Sequence, residues 1–203
     1  KDMAGVQLAL GLTNLDPKAL KALNDVYEAA SRRMVQSGEQ KSPEFTPEEQ
    51  QVLKTNVELL LAGNPGLSVS PLQVRTTNGT STFKLDVSLA KPASVDQPAS
   101  DVAMQAIRKL DAKLVLSKGN MADLMAIQPQ LQGVPADRAA QTAKGQAEMV
   151  GTMATAMGVA KVENDNIVSY LNYADGQVDF NGKKMPLQQF MMMVMSGAMG
   201  GMR

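Results

Sequence analysis

The sequence predicts an α+β fold: one or more antiparallel sheets with helices packed on one face, as two strand-helix-helix-hairpin repeats plus a terminal helix. Alternating apolar runs such as "TFKLDVSLA" mark half-buried strands. Capped amphipathic segments such as "TPEEQQVLKTNVELLLAG" mark helices able to cover a sheet. The order of these segments recurs after about 100 residues, with Asn14-Leu15 echoed by Asn120-Met121.

In chain order, "GVQLALGL" at 5–12 alternates through Val6, Leu8, Leu10 and Leu12 and predicts a half-buried strand. Pro17 behind Asp16 opens a helix whose apolar stripe is Leu20, Leu23, Tyr27, Ala30 and Met34. After a polar break at 37–45, Thr46 and Glu49 form a capping box around Pro47. Leu53, Val57, Leu60 and Leu61 are the stripe of that second helix, and Gly63 stops it.

"LSVSPLQVRTT" is a strand interrupted by Pro71, which predicts an edge or a bulge. Asn78-Gly79 turns it into a partner with Phe83, Leu85, Val87 and Leu89 on one face. A connector, "KPASVDQPA", and a short helix at 100–107 follow.

"KLDAKLVLSK" then reads as a strand and "NMADLMAI" as a short helix. Pro135 opens a long helix to Gly158 with Val150, Met153 and Met157 on its apolar side. Strands at 160–173 and 177–181 follow, and Pro186 starts the last helix. The organisation expected is a first repeat at 1–92, a connector with its short helix at 93–109, and a second repeat with the terminal helix at 110–203, forming one compact unit.

Composition narrows function. Twenty basic residues balance twenty acidic ones without long blocks, which argues against nucleic acid or a polybasic membrane patch. The chain has no Cys and no His, so thiol nucleophiles, histidine bases and Cys/His zinc sites are excluded. No Walker loop, GxGxxG, GxSxG or Ser-x-x-Lys pattern occurs. No apolar run reaches the roughly 18 residues that a membrane span needs. Because the chain begins at Lys1, the expectation is a segment of a longer protein, with any signal or anchor upstream.

Three segments, "LALGLTNLDPKALKAL", "LLLAGNPGLSVSPLQVRTTNGTSTFKLDVSL" and "YLNYADGQVDFNGKKMPLQQFM", together resemble the carboxyl-terminal part of the YdgA-like family of bacterial envelope proteins. The resemblance covers nearly the whole chain and rests on structural motifs. It implies a periplasmic location and an inner-membrane anchor in the full-length protein. It implies no activity and transfers no catalytic residue, because the family's function is unknown.

"YADGQVDFNGKKM" has the residue types of a calcium loop. With Gly182 at the sharp-turn position, however, positions one and twelve fall on Gln177 and Gln188, where carboxylates are needed. The alternative reading is two turns, at Asp175-Gly176 and Asn181-Gly182. "FMMMVMSGAMGGMR" carries six methionines, whose soft thioethers would suit Cu(I). Helical spacing of Met191, Val194 and Met195 favours core docking instead. "NGT" at 78–80 matches a glycosylation acceptor, incidental in a bacterial hairpin.

The expected function is therefore non-catalytic, with no cofactor and no metal: a periplasmic interaction or scaffolding domain whose partner is an unknown protein or a second copy. Nucleic acid is not expected, and the membrane is met only through the upstream anchor. The alternative is a lipid or other hydrophobic ligand in a groove lined by Met149, Met153, Met157, Met191 and Met195. The alanine- and glycine-rich helix that carries the first three also has a simpler reading, close packing against a neighbour.

Overall fold

The computed structural model describes residues 5–37 and 42–200. Its elements are β1 (Gly5–Thr13), α1 (Pro17–Ser37), α2 (Pro47–Ala62), β2 (Gly66–Thr76), β3 (Gly79–Leu89), α3 (Ala99–Ala106) and β4 (Ile107–Ser117). They continue as α4 (Lys118–Leu131), α5 (Ala136–Ala156), β5 (Lys161–Glu163), β6 (Asn166–Ala174), β7 (Gln177–Phe180), β8 (Lys183–Pro186) and α6 (Leu187–Gly200). The strands form one eight-stranded antiparallel sheet in the order β1-β2-β3-β4-β6-β7-β8, with β5 also paired to β6. The fold is α+β.

Two compact units are distinguished. The first comprises residues 1–11, 68–86 and 109–203, and the second residues 12–67 and 87–108. In the second unit, α1 packs on α2 through small residues, with Ala19 and Ala30 almost fully covered. Leu20 and Tyr27, expected in the α1 stripe, are exposed. Ala30 of that stripe is buried and Leu23 and Met34 are half-buried, while at the start of the helix Ala19 is buried in place of Leu20.

In the first unit, α5 packs on α4, and its buried residues Ala139, Ala143, Ala147 and Gly151 are spaced four apart, with Gly151 against Ile167 of β6 and Lys118. Ala126 of α4 joins Ala139 and Ala143 in the core of this pair. The packing side of α5 is thus the alanine side, and Met153 and Met157 point away from it, more than half exposed. Volume decides this outcome: a stripe without side chains beyond Cβ permits a close helix-helix approach that methionines would prevent.

The strand at 160–173 is two strands, β5 and β6, separated by Asn164 and Asp165 at φ 45° and 65°. Those are the paired positive φ values that a two-residue type I′ hairpin requires. Asp175-Gly176 and Asn181-Gly182 repeat the pattern. Asn181-Gly182 leads into a further strand, β8, before α6, and Pro186 closes that strand instead of opening the helix. Phe180 of β7 meets Phe190 of α6 edge to face, with ring centroids 5.5 Å apart.

Two strand expectations also change. Pro71 lies within β2, which runs between β1 and β3 instead of at an edge, and the Ser70–Pro71 peptide is cis. β1 is not half buried. It ends the sheet, and Val6, Leu8, Leu10 and Leu12 are each more than half exposed. Alternation reports which side chains share a face, but not whether anything covers that face.

Candidate functional site: an apolar groove beside helix α2

The second unit holds an apolar groove of about 950 Å³. Leu53, Val57 and Leu61 of α2 form one wall, and Val102, Ala103 and Ala106 of α3 form another. Leu67, Val87, Leu89 and Ile107 come from strand ends, while Phe45 and Val95 come from loops. Twelve of the fifteen lining residues are apolar, and the others are Gln50, Lys54 and Gln97. The volume lies near the upper end of the roughly 300–1,000 Å³ usual for small-molecule sites, and such a lining is their usual composition. Val57, Leu61, Leu67 and Leu89 also border a second apolar cavity of about 210 Å³, so the inner side of α2 has space along much of its length.

Polar ties on its outside hold α2 over this space. Thr46 accepts from the Glu49 N–H at 3.2 Å, and Glu49 accepts from the Thr46 N–H at 2.9 Å, completing the capping box. Arg33 of α1 grips the Glu49 carboxylate with both terminal nitrogens, at 2.7 and 2.5 Å. That fork, with the Thr46 N–H, holds the Glu49 carboxyl below the usual carboxylate range, and Glu49 in turn raises Arg33.

At the other end of α2, Asn14 donates to the Asn64 carbonyl at 3.3 Å, and both asparagines have positive φ. Two ion pairs bind the helix to the segment before α3: Lys91–Glu58 at 3.0 Å and Lys54–Asp96 at 2.5 Å. The Asp96 side chain is 68% exposed and that of Lys54 is 35% exposed. A pair so open to water is worth about 0–1 kcal/mol, so Lys54 is held lightly.

The first unit has a cleft of different character, about 450 Å³, with Asn78, Lys118, Asp123, Lys144, Glu148 and Asp165 among its walls. Lys118 is nearly buried, with its ammonium 2.8 Å from Glu148 and 3.3 Å from Asp165. The Glu148 hydrogen bond raises its pKa over the opposing effect of burial, with Asp165 adding to it, so the ammonium form is favoured. Ser117 accepts from the Asn120 N–H as the cap of α4, and Ser81 donates to Asn120. These hydroxyls serve the join between the β2–β3 hairpin and α4.

Met149, Met153, Met157 and Met191, singled out in the sequence, are not among the residues that line either cavity. Met149, Met153 and Met157 form one exposed stripe on α5, and Met191 on α6 is partly exposed. The Met195 side chain lies outside the described residues. Sequence reasoning marked the α2 wall and the Val87-Leu89 face, but not Val95 or the α3 wall. Val102, Ala103, Ala106 and Ile107 do carry a readable signal, an apolar patch at helical spacing.

In the turn region, Asp179 accepts from the Gly182 N–H at 2.9 Å, and Asn181 accepts from the Tyr170 N–H at 2.7 Å. One Asp179 carboxylate oxygen and the Asn181 amide oxygen are thus engaged by backbone N–H groups. Among the described residues no cluster of three or more acidic, His or Cys side chains is placed to hold a metal. Among them, too, no helix is long and apolar enough to cross a membrane.

Architecture and groove define the class: an α+β domain on one antiparallel sheet, with apolar space beside a helix. Residues 1–188 match the family described as "Bacterial protein of unknown function (DUF945)", and the chain belongs to that family. It is 26% identical over 195 residues to "Protein YdgA" of Escherichia coli (strain K12), covering 94% of this chain and 39% of that protein. It is 26% identical over 187 residues to "Uncharacterized protein YihF" of the same strain, covering 88% of this chain and 37% of that protein. The chain thus spans about two fifths of the length of the curated relatives it matches. The YdgA-like resemblance of the three quoted segments is borne out. No solved structure matches the chain.

Proposed function

We propose that this chain is a non-catalytic binding domain of a membrane-anchored bacterial envelope protein, located in the periplasm, and that it accommodates an apolar ligand beside α2. The observation behind this reading is the groove itself: about 950 Å³, walled almost entirely by apolar side chains, with Lys54–Asp96 and Lys91–Glu58 tying α2 to the segment before α3. The site differs from the methionine-lined one expected from sequence, although the ligand class is the same.

The test is titration of the purified chain with the neutral fluorescent probe N-phenyl-1-naphthylamine. Saturable binding is expected, weakened at least tenfold by Val57→Trp, whose bulk fills the groove. A linear, unsaturable signal from the parent chain would overturn the proposal.

A second reading, self-association, is favoured by β1. The strand "GVQLALGLT" has no charge and no proline to blunt its edge, and one face is an exposed aliphatic stripe. Antiparallel pairing with a second copy about Ala9 would set Val6 against Leu12 and Leu8 against Leu10. Sedimentation velocity of the parent chain and of Leu8→Lys tests it. A concentration-dependent dimer lost in the variant supports the reading, and a monomer at every concentration ends it.

A further inference from the structure

We infer that the groove's ligand is a single-chain amphiphile with an anionic head, bound with its head at Lys54 and its tail along Val57 and Leu61; this rests on the groove reading above. Lys54 is the one charged residue among the described residues that line the groove. Gln50 lies one helical turn before it on the same face of α2, so the two side chains sit one above the other. Gln97 adds a third polar group from the facing loop. The groove is thus polarised, with an ammonium and two amides as its polar groups and aliphatic walls elsewhere.

Electrostatics select the sign of the head. Among the described residues the Lys54 ammonium pairs with Asp96, whose carboxylate is mostly in water and strongly screened. A ligand carboxylate or phosphate entering the groove would meet that ammonium in a less aqueous setting, where a charge-assisted hydrogen bond is stronger. Lys54 would exchange an exposed carboxylate for a more enclosed one. Asp96 is then a competitor of the ligand, and removing its charge should strengthen binding.

The probes are hexadecanoate, hexadecan-1-ol and hexadecyltrimethylammonium, which share a chain and differ in head charge. Displacement of the neutral fluorophore from the parent chain, Lys54→Met, Asp96→Asn and Val57→Trp reads all three. Hexadecanoate should displace most strongly. Lys54→Met should weaken it about tenfold, the scale of one charge-assisted hydrogen bond, and leave hexadecan-1-ol unchanged. Asp96→Asn should strengthen hexadecanoate. Equal displacement by the three probes, with Lys54→Met and Asp96→Asn without effect, would overturn the head assignment and leave the groove standing. Binding that Val57→Trp does not alter would remove the groove itself, and this inference with it.

Discussion

Ser81 Oγ donates to Asn120 Oδ1 at 2.7 Å, and both side chains are buried, Asn120 to 1% exposure. Asn120 Nδ2 donates to Thr76 Oγ1 at 3.1 Å, and Ser81 Oγ accepts from the Ser117 N–H at 3.1 Å. One amide therefore ties β2 and β3 to the start of α4. Asn120→Ala removes the acceptor of the buried Ser81 hydroxyl and the amide donor to Thr76, and opens a void. With an unsatisfied buried group costing about 1–3 kcal/mol, the loss should be at least ~1 kcal/mol. Urea unfolding followed by circular dichroism would show a lower midpoint, and an unchanged midpoint would refute the tie.

The same junction explains Gly79. This residue opens β3 without a positive φ, so turn conformation does not demand glycine. A Cβ there would run into Ser117 Oγ, while Gly119 is equally closed in by the Asn78 carbonyl. Gly79→Ala should cost about 1–3 kcal/mol through overpacking. Part of the clash is with the Ser117 hydroxyl, so Gly79→Ala should cost less in a Ser117→Ala background. A double-mutant cycle in urea reads that coupling, and strict additivity would argue against the contact.

Asp123 gives the junction an acid limit. Burial by itself pushes its carboxyl up, but hydrogen bonds from Thr76 and from the side chain and backbone of Asn78 outweigh it and leave the pKa lowered. The Asn78 contacts are 3.0 Å from the backbone N–H and 2.7 Å from the side chain. A carboxyl lowered on folding contributes stability that is full above its unfolded value, about 3.9. That contribution is lost as pH falls through the folded value. Unfolding midpoints measured from pH 6 downward should fall more steeply below about pH 4 in the parent than in Asp123→Asn. Parallel curves would contradict the assignment.

Much of the architecture was legible because it is local. The capping box at Thr46 and the turns at Asp175 and Asn181 are short-range patterns with a single economical geometry, and the structure forms each of them. Two kinds of information were not legible. The exposure of Val6, Leu8, Leu10 and Leu12 depends on what lies over β1, which alternation does not encode. The groove depends on three segments from residues 45–107 meeting at α2, so only its individual walls could be read. On α5 the exposed methionines and the buried alanines lie on different faces, and the close-packing reading of this helix is the one its burial pattern follows. Close helix packing is governed by volume, and there alanine wins.

That contrast on α5 can be measured directly. Ala143 is 2% exposed in the core shared with Ala126 of α4, whereas Met153 is 56% exposed. Ala143→Leu adds three carbons where Ala126 and Ala139 already close the space, and overpacking should cost about 1–3 kcal/mol. Met153→Ala removes an exposed side chain and places the strongest helix former in its position, so the change should stay within about 0.5 kcal/mol. Urea midpoints of the two variants decide between the faces. A large loss from Met153→Ala with a small one from Ala143→Leu would mean that α5 packs through its methionines after all.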